Sequence, residues 1–488
     1  MTRLSSLAAV QGEALLPGYD PSQHGRGIVH LGIGAFHRAH QAAVTDAALS
    51  ADGGNWRITG VSLRSREVAD ALNPQNGLFT LIERGAAGTR ARVVAAIRDV
   101  IAADPGATLA ALCDPQVRIV TLTVTEKGYG IDRVRRSPDA DDPAVKADLQ
   151  APDAPSGVLG LLVAALRQRH AAGVEPFTVL CCDNLPENGA LLRDGVIGFA
   201  RMVDPTLADW IADHVAFPSS MVDRITPAAT DTTLAEAKRQ TGCDDLAAVE
   251  TEPFLQWVIE DHFPQGRPAW EAGGAIFVAD VAPYERMKLT MLNGSHSMLA
   301  YAGFLTSRRY VRDVMGDPVL SVLVSRHLRA AASVLPALPS IDLAAYAKAL
   351  EERFRNPAIA HETWQIAMDG TQKLPQRIFQ PALAALGQGQ SVRPFALAAA
   401  AWMRFTLGRT DDGRDHALRD PREAEIRNAL AGVSRETGEA IRDALSGLPG
   451  LVPAELAATP AWRDAVAELL QGMLDKGVAA TLQAEAAT

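Results

Sequence analysis

Residues 27–36 read GIVHLGIGAF and run on as HRAHQAAVTDAALSA (37–51). The apolar run Ile28-Val29-His30-Leu31 has strand length and breaks at Gly32-x-Gly34. After that break the pattern is helical until Asp52-Gly53-Gly54-Asn55 stops it. Strand, glycine turn and helix together form the arrangement in which backbone amides and a helix N-terminus receive the pyrophosphate of a dinucleotide. This reading assigns cofactor contact to Gly32, Ile33, Gly34, Ala35 and Phe36. The fingerprint is truncated, with His37 where a third glycine is usual. His37 and His40 stand three apart, but no thiol or carboxylate joins them at zinc-site spacing. They read as helix-start histidines, and no metal is expected.

Outward from this turn, strands and helices alternate. WRITGVSL (56–63), VRIVTLTVT (117–125) and PFTVLCCDN (176–184) are Val/Ile/Thr-rich runs of strand length, and GVLGLLVAALRQRHAAG (157–173) is helical with a glycine stop. Such alternation implies a parallel sheet covered by helices. AGGAIFVADV (272–281) reads as the last strand; beyond it come Ala/Leu/Arg-rich segments of helical period such as PVLSVLVSRHLRAAASVL and FALAAAAWMRFTLG. The expected architecture is therefore an α/β Rossmann-type domain over 1–281 and a mainly α-helical domain over 282–488. An acid at the end of the second strand would accept the ribose hydroxyls of NAD. LRSRE (63–67) offers Glu67 for that role, but Arg64 and Arg66 would suit the 2′-phosphate of NADP, so both cofactors stay open.

Composition narrows the class. A chain of 488 residues exceeds one ordinary core. A net charge of −10 argues against a nucleic-acid partner, which would want a basic face. Four scattered cysteines suit neither a disulfide framework nor a metal site and imply reduced thiols in the cytoplasm. The N-terminus lacks the apolar core of a signal peptide, and no apolar stretch approaches membrane-spanning length.

MKLTMLNGSHSM (287–298) sets Lys288, Asn293 and His296 into an apolar run. At about 100° per residue on an α-helix, the three share less than half of the circumference. Carbonyl–alcohol interconversion with a nicotinamide needs an acid/base on the substrate oxygen and donors for the developing alkoxide. Lys288 can serve as the acid/base if an apolar surround lowers its pKa, Asn293 as a donor and His296 as an orienting group. Asn184 follows a buried strand, where parallel sheets present their ligand crevice, and could complete the oxyanion clamp. The plainer readings are an Asn-Gly turn and a lysine reaching for solvent.

These residues resemble the signature of the long-chain mannitol dehydrogenase family of polyol-specific reductases. GIGAFHRAHQA, LTVTEKGY, CDNLPENG, MVDRITPA, EPFLQWVIEDHF and WQIAMDGTQKLPQR are similar to family segments in the same order, over residues 27–405. MKLTMLNGSHSMLAY and TWQIAMDGTQKLPQR most resemble the branch that interconverts D-fructuronate and D-mannonate. The resemblance implies an NAD-dependent, metal-independent enzyme, monomeric as the family often is, with its active site between the two domains. It implies Lys288 as general acid/base, Asn184 and Asn293 as the oxyanion pair, and His296 as a substrate-orienting residue. Asp223 is implied to contact substrate, and Glu126 and Glu285 to line the cleft near the lysine. In the helical domain Lys373 and Arg377, around what reads as a proline turn, are the expected cations for a sugar-acid carboxylate. The alternatives are a mannitol- or arabinitol-type ketose/polyol dehydrogenase and, from a different class, a dinucleotide-binding sensor without turnover.

Overall fold

Five strands, β1 (Arg26–Leu31), β2 (Arg57–Ser62), β3 (Ile97–Ala102), β4 (Ile119–Leu122) and β5 (Thr178–Cys181), pair in the order β3-β2-β1-β4-β5, every pair parallel. This is the Rossmann order, and its reversal between β1 and β4 opens a crevice at the strands' C-terminal ends. The structure is a computed structural model that describes residues 2–488; the side chains of Glu126 and Lys127 lie outside the described residues. The chain divides into two compact units, Met1–Ala282 and Pro283–Thr488.

In the first unit, the strands alternate their side chains between two cores, as period-2 geometry requires. Val29, Val120 and Val179 pack on one face with Leu162, Leu166, Val196 and Phe199. Ile28, Ile119 and Leu180 pack on the other with Ala39, Ala43, Val44 and Trp257. Burial on both faces explains why these strands read as nearly continuous apolar runs. The helix after the glycine turn, α1, spans 35–52; α2 (Val158–Ala171) and α3 (Asn188–Val203) cover the opposite face.

The segment expected as the last strand of that sheet lies elsewhere. Ala275–Val278 (β8) belongs to a separate sheet, parallel to Gln256–Glu260 (β7), which is antiparallel to Ser220–Asp223 (β6). A hairpin, Phe79–Gly85 with Gly88–Val94, pairs with Val249–Thr251 in a third sheet. The unit is thus mixed, not purely parallel.

The second unit contains helices only among its regular elements, isolated bridges aside. Its principal helices are α4 (282–305), α5 (Pro318–Ser333), α6 (Leu343–Phe354), α7 (370–387), α8 (Arg393–Phe405), α9 (Pro460–Asp475) and α10 (Val478–Ala487). Every residue of Phe395–Phe405 is buried, which makes α8 the helix that the others surround. No helix among the described residues is long and apolar enough to cross a membrane.

Candidate active site

In the first unit the glycine turn divides its work between two glycines. Gly32 has φ +93°, and a Cβ there would lie 2.2 Å from the Thr123 carbonyl oxygen at the end of β4. Only glycine lets β1 turn this close to β4. Gly34 is extended (φ −129°), and the nearest atom to a Cβ there would be the Gly32 carbonyl oxygen at 3.9 Å. That open side, at the start of a helix without a side-chain cap, is where a pyrophosphate can approach the backbone. The residues fit a dinucleotide.

His37 replaces the third glycine by stacking. Its ring lies 3.6 Å from that of His30 on β1, at 16° between planes, and His30 is anchored by the hydroxyls of Thr121 (2.7 Å) and Thr123 (2.8 Å). A flat imidazole pair thus brings helix and strand together. Burial holds both rings neutral, driving His30 down to about 3 and His37 well below its ordinary value. His40 meets the Gln256 carbonyl at 3.1 Å. No group of three His, Cys, Asp or Glu among the described residues is placed to hold a metal ion.

Glu67 opens the short helix Glu67–Leu72, five residues beyond the end of β2. It is exposed, as are Arg64 and Arg66.

Asn184 stands exposed three residues past β5. The loop that carries it is pinned from both sides. The Asp183 carboxylate accepts from the Val124 N–H (2.9 Å) and the Tyr129 hydroxyl (2.6 Å). The buried Asn188 amide donates to the carbonyls of Asp183 (3.0 Å) and Ser220 (2.7 Å) and accepts from the Ser220 N–H (2.9 Å). Asn188 thereby joins the Asn184 loop to β6, whose last residue is Asp223, 8% exposed. Next to it, the buried Arg224 donates to the carbonyls of Ala39 and Glu252 and pairs with Glu83. Glu126 falls in the turn Glu126–Tyr129, with its side chain outside the described residues.

In the second unit, Lys288 (7% exposed) opens a π-helical stretch, Lys288–Asn293, inside α4. The 100° spacing assumed from sequence therefore fails here. In i→i+5 geometry, Lys288 and Asn293 stand one turn apart along the helix. Met287, Met291 and Leu292 are buried around them. Asn293-Gly294 is no turn: Gly294 is in mid-helix, and its N–H bonds back to Leu289. A Cβ on Gly294 would come within 2.8 Å of the Arg377 carbonyl. Glycine is required there because α7 presses against α4.

Lys373 and Arg377 lie on α7, where Pro375 opens a second π stretch, Pro375–Phe379, closed by the Gln380 N–H on the Pro375 carbonyl. The expected proline turn is instead continuous helix, the wider π-turn accommodating a residue that cannot donate. Lys373 donates to the carbonyls of Met368 (2.7 Å) and Ile366 (3.3 Å) and lies 3.5 Å from Asp369. Arg377 donates to the Ser297 hydroxyl (3.4 Å), which donates to the Asn293 carbonyl (3.1 Å). This chain joins a proposed oxyanion residue to a proposed carboxylate cation. Ser297, four residues after Asn293, was visible as a helical neighbour but carried no chemical signal.

His296 packs its ring on Phe354 (4.6 Å) and edge-on against His361 (5.5 Å). Burial lowers it well below its ordinary value, and His361, Arg353 and Arg377 add to the shift. Glu285 lies half-buried one turn before Lys288. The unit also carries a pocket of about 370 Å³ among Leu305, Arg308, Asp317, Leu320 and Leu482, at the opposite end of α4 from Lys288. The third π stretch, Arg38–Ala42, belongs to the helix after the glycine turn. All three π stretches among the described residues fall on segments that sequence reading singled out.

The profile described as the mannitol dehydrogenase Rossmann domain matches residues 26–272, and that of the mannitol dehydrogenase C-terminal domain matches 280–454. An Escherichia coli K12 protein named uncharacterized oxidoreductase YeiQ is 45% identical over 424 residues, 86% of this chain and 87% of its own. D-mannonate oxidoreductase of the same organism is 42% identical over 468 residues, 94% and 96% of the two chains. A solved ternary complex of Pseudomonas fluorescens mannitol 2-dehydrogenase with NAD and D-mannitol is 37% identical, covers 99% of each chain and superposes with a TM-score of 0.79.

Proposed function

The chain belongs to the mannitol dehydrogenase family of oxidoreductases, and from that premise we propose that it reduces D-fructuronate to D-mannonate with NADH. The first unit, through the backbone of 32–36, holds the dinucleotide, and Glu67 takes the ribose hydroxyls. Bound NADH supplies the hydride to the substrate's carbonyl carbon. Lys288 gives its proton to the carbonyl oxygen, and the amides of Asn184 and Asn293 donate to that oxygen as charge develops. His296 and Asp223 orient the sugar hydroxyls. Glu285 and Glu126, the latter assigned by resemblance alone, are the acids that serve the lysine. Four free cysteines support a reducing cytoplasm as the site of action, and a monomer is the proposed working form.

The observation that carries the sugar-acid reading is the pair of cations on α7, Lys373 and Arg377, the second of which reaches the Ser297 hydroxyl that in turn meets the Asn293 carbonyl. A neutral ketose does not need them; a carboxylate does. The likeness to the mannitol enzyme favours fructose/mannitol as the competing reading. A sensor without turnover would not need a buried amine one helical turn from an amide. The test is NADH oxidation with D-fructuronate, D-fructose and D-xylulose, repeated with NADPH. D-Fructuronate with NADH is expected to give the highest kcat/KM. Preference for D-fructose overturns the substrate, and preference for NADPH transfers the adenosine end to Arg64 and Arg66.

A further inference from the structure

Gln256 opens β7 and stands directly opposite Asp223, the last residue of β6, in an antiparallel pair. Residues paired in this way present their side chains to the same face of the sheet, with Cβ atoms about 4.5–5.5 Å apart. Their neighbours settle which face it is. Val222 and Trp257, the next pair along, pack in the core that holds Ala39, Ala43 and Val44 of α1, and so does Ile259. By the period of two, Asp223 and Gln256 point away from that core. β8 begins only at Ala275, opposite Trp257, so Gln256 has its cross-strand neighbour on the Asp223 side alone.

The Gln256 residue is 7% exposed and Asp223 8%. Yet the Gln256 amide is unbonded. Its Oε1 is fully buried without a donor, and its Nε2 has no acceptor among the described residues. A buried polar group in that state is costly and rare, and it calls for a partner. The backbone beneath it is fixed, since His40, carried by the π stretch of α1, meets the Gln256 carbonyl at 3.1 Å. In EPFLQWVIEDHF the residue reads only as a polar start to a buried strand. Its register against Asp223 is set by the fold.

We propose that Gln256 is a substrate-binding residue that holds, beside Asp223, a hydroxyl of the sugar. A hydroxyl is the group that uses both side chains, donating to the carboxylate while it accepts from the amide N–H; Oε1 then receives the hydroxyl next to it. This rests on the reading of Asp223 as a residue that orients sugar hydroxyls. It does not depend on the sugar acid, because D-fructuronate and D-fructose both present hydroxyls.

The experiment measures kcat and KM for D-fructuronate and D-fructose on wild type, Gln256→Leu, Gln256→Met and Asp223→Asn, with the Kd for NADH and the Tm of each free protein. In both apolar variants kcat/KM is expected to fall about 5–150-fold, the equivalent of about 1–3 kcal/mol for a polar group left unpaired. The loss should fall mainly on KM and be similar for the two substrates, with the Kd for NADH unchanged. Tm should hold or rise, because an orphaned amide gives way to an apolar side chain of similar size. A residue that merely supports the fold would do the opposite and lower Tm. Wild-type kinetics in the two apolar variants, or a lower Tm in both, would overturn the assignment. Unchanged kinetics in Asp223→Asn would instead overturn the reading on which it rests, so the two failures are told apart.

Discussion

Gly32 and Gly34 are two residues apart and chemically identical, yet their substitutions have different outcomes. Gly32→Ala sets a side chain at φ +93° and 2.2 Å from a backbone oxygen. The left-handed conformation alone costs about 1–2 kcal/mol, and the clash adds to it, so Tm falls. Gly34→Ala meets no protein atom closer than 3.9 Å and leaves Tm where it was. Its methyl group occupies the open side toward the pyrophosphate, so the Kd for NADH rises at least about tenfold, or 1.4 kcal/mol. Calorimetry and a binding titration on both variants check the contrast; an unchanged Kd in Gly34→Ala contradicts the cradle. Lys288→Ala is expected to keep NADH binding and lose turnover by at least about 10²–10⁴-fold, and Asn184→Ala or Asn293→Ala by about 10²–10³-fold. A Lys288→Ala enzyme with wild-type kcat shows that the lysine only packs.

At the scale of elements, strands β1, β2, β4 and β5 were legible because burial on both faces leaves apolar runs. β3 (Ile97–Ala102) was not: as an edge strand it sets Arg98, exposed, and Asp99, half-buried, into its apolar run. The π stretches were also illegible, since periodicity reading assumes 3.6 residues per turn and the extra residue is dictated by what packs alongside. Lys288, Asn293 and His296 could be found as a spacing, but Phe354 and His361 reach His296 only through tertiary packing. Asp183 marks the same limit. Next to a proposed catalytic asparagine it reads as a spare acid, whereas it ties β4's end and Tyr129 to the loop after β5. Asp183→Asn weakens two bonds of the charge-assisted kind, worth about 1.5–3 kcal/mol each when lost outright. A lower Tm together with a lower kcat is expected, and a loss of Tm alone would mean that the loop's position is immaterial to turnover.

For the whole molecule, buried neutral histidines set the response to acid. His30 titrates at about 3 and His327 at about 4, both pushed down by burial. Their folded values lie below the unfolded value near 6.5, so the unfolded chain binds more protons below that pH. The stability they contribute is complete above pH 6.5 and is lost as pH falls toward the folded values, by up to about 1.4 kcal/mol per pH unit for each. Tm should therefore decline from pH 6.5 to 5, above the carboxylate range; a flat profile contradicts neutral burial. Activity should survive prolonged EDTA, and loss restored by Zn²⁺ would refute the lysine mechanism.

Cys181 and Cys182 are both 0% exposed at the end of β5, directly before the Asn184 loop, whereas Cys113 is partly accessible. A thiol-reactive dye therefore finds Cys113 at once and the three buried sulfurs late; Cys243 sits in a separate core, so Cys181 and Cys182 are the two that wait for the central sheet to part, a stopwatch for breathing of the nucleotide fold. Cys113 supplies the prompt internal standard. Saturating NADH should slow the late phase while leaving the early one alone, and substitution of Cys181 and Cys182 by alanine should leave only Cys243 reacting late.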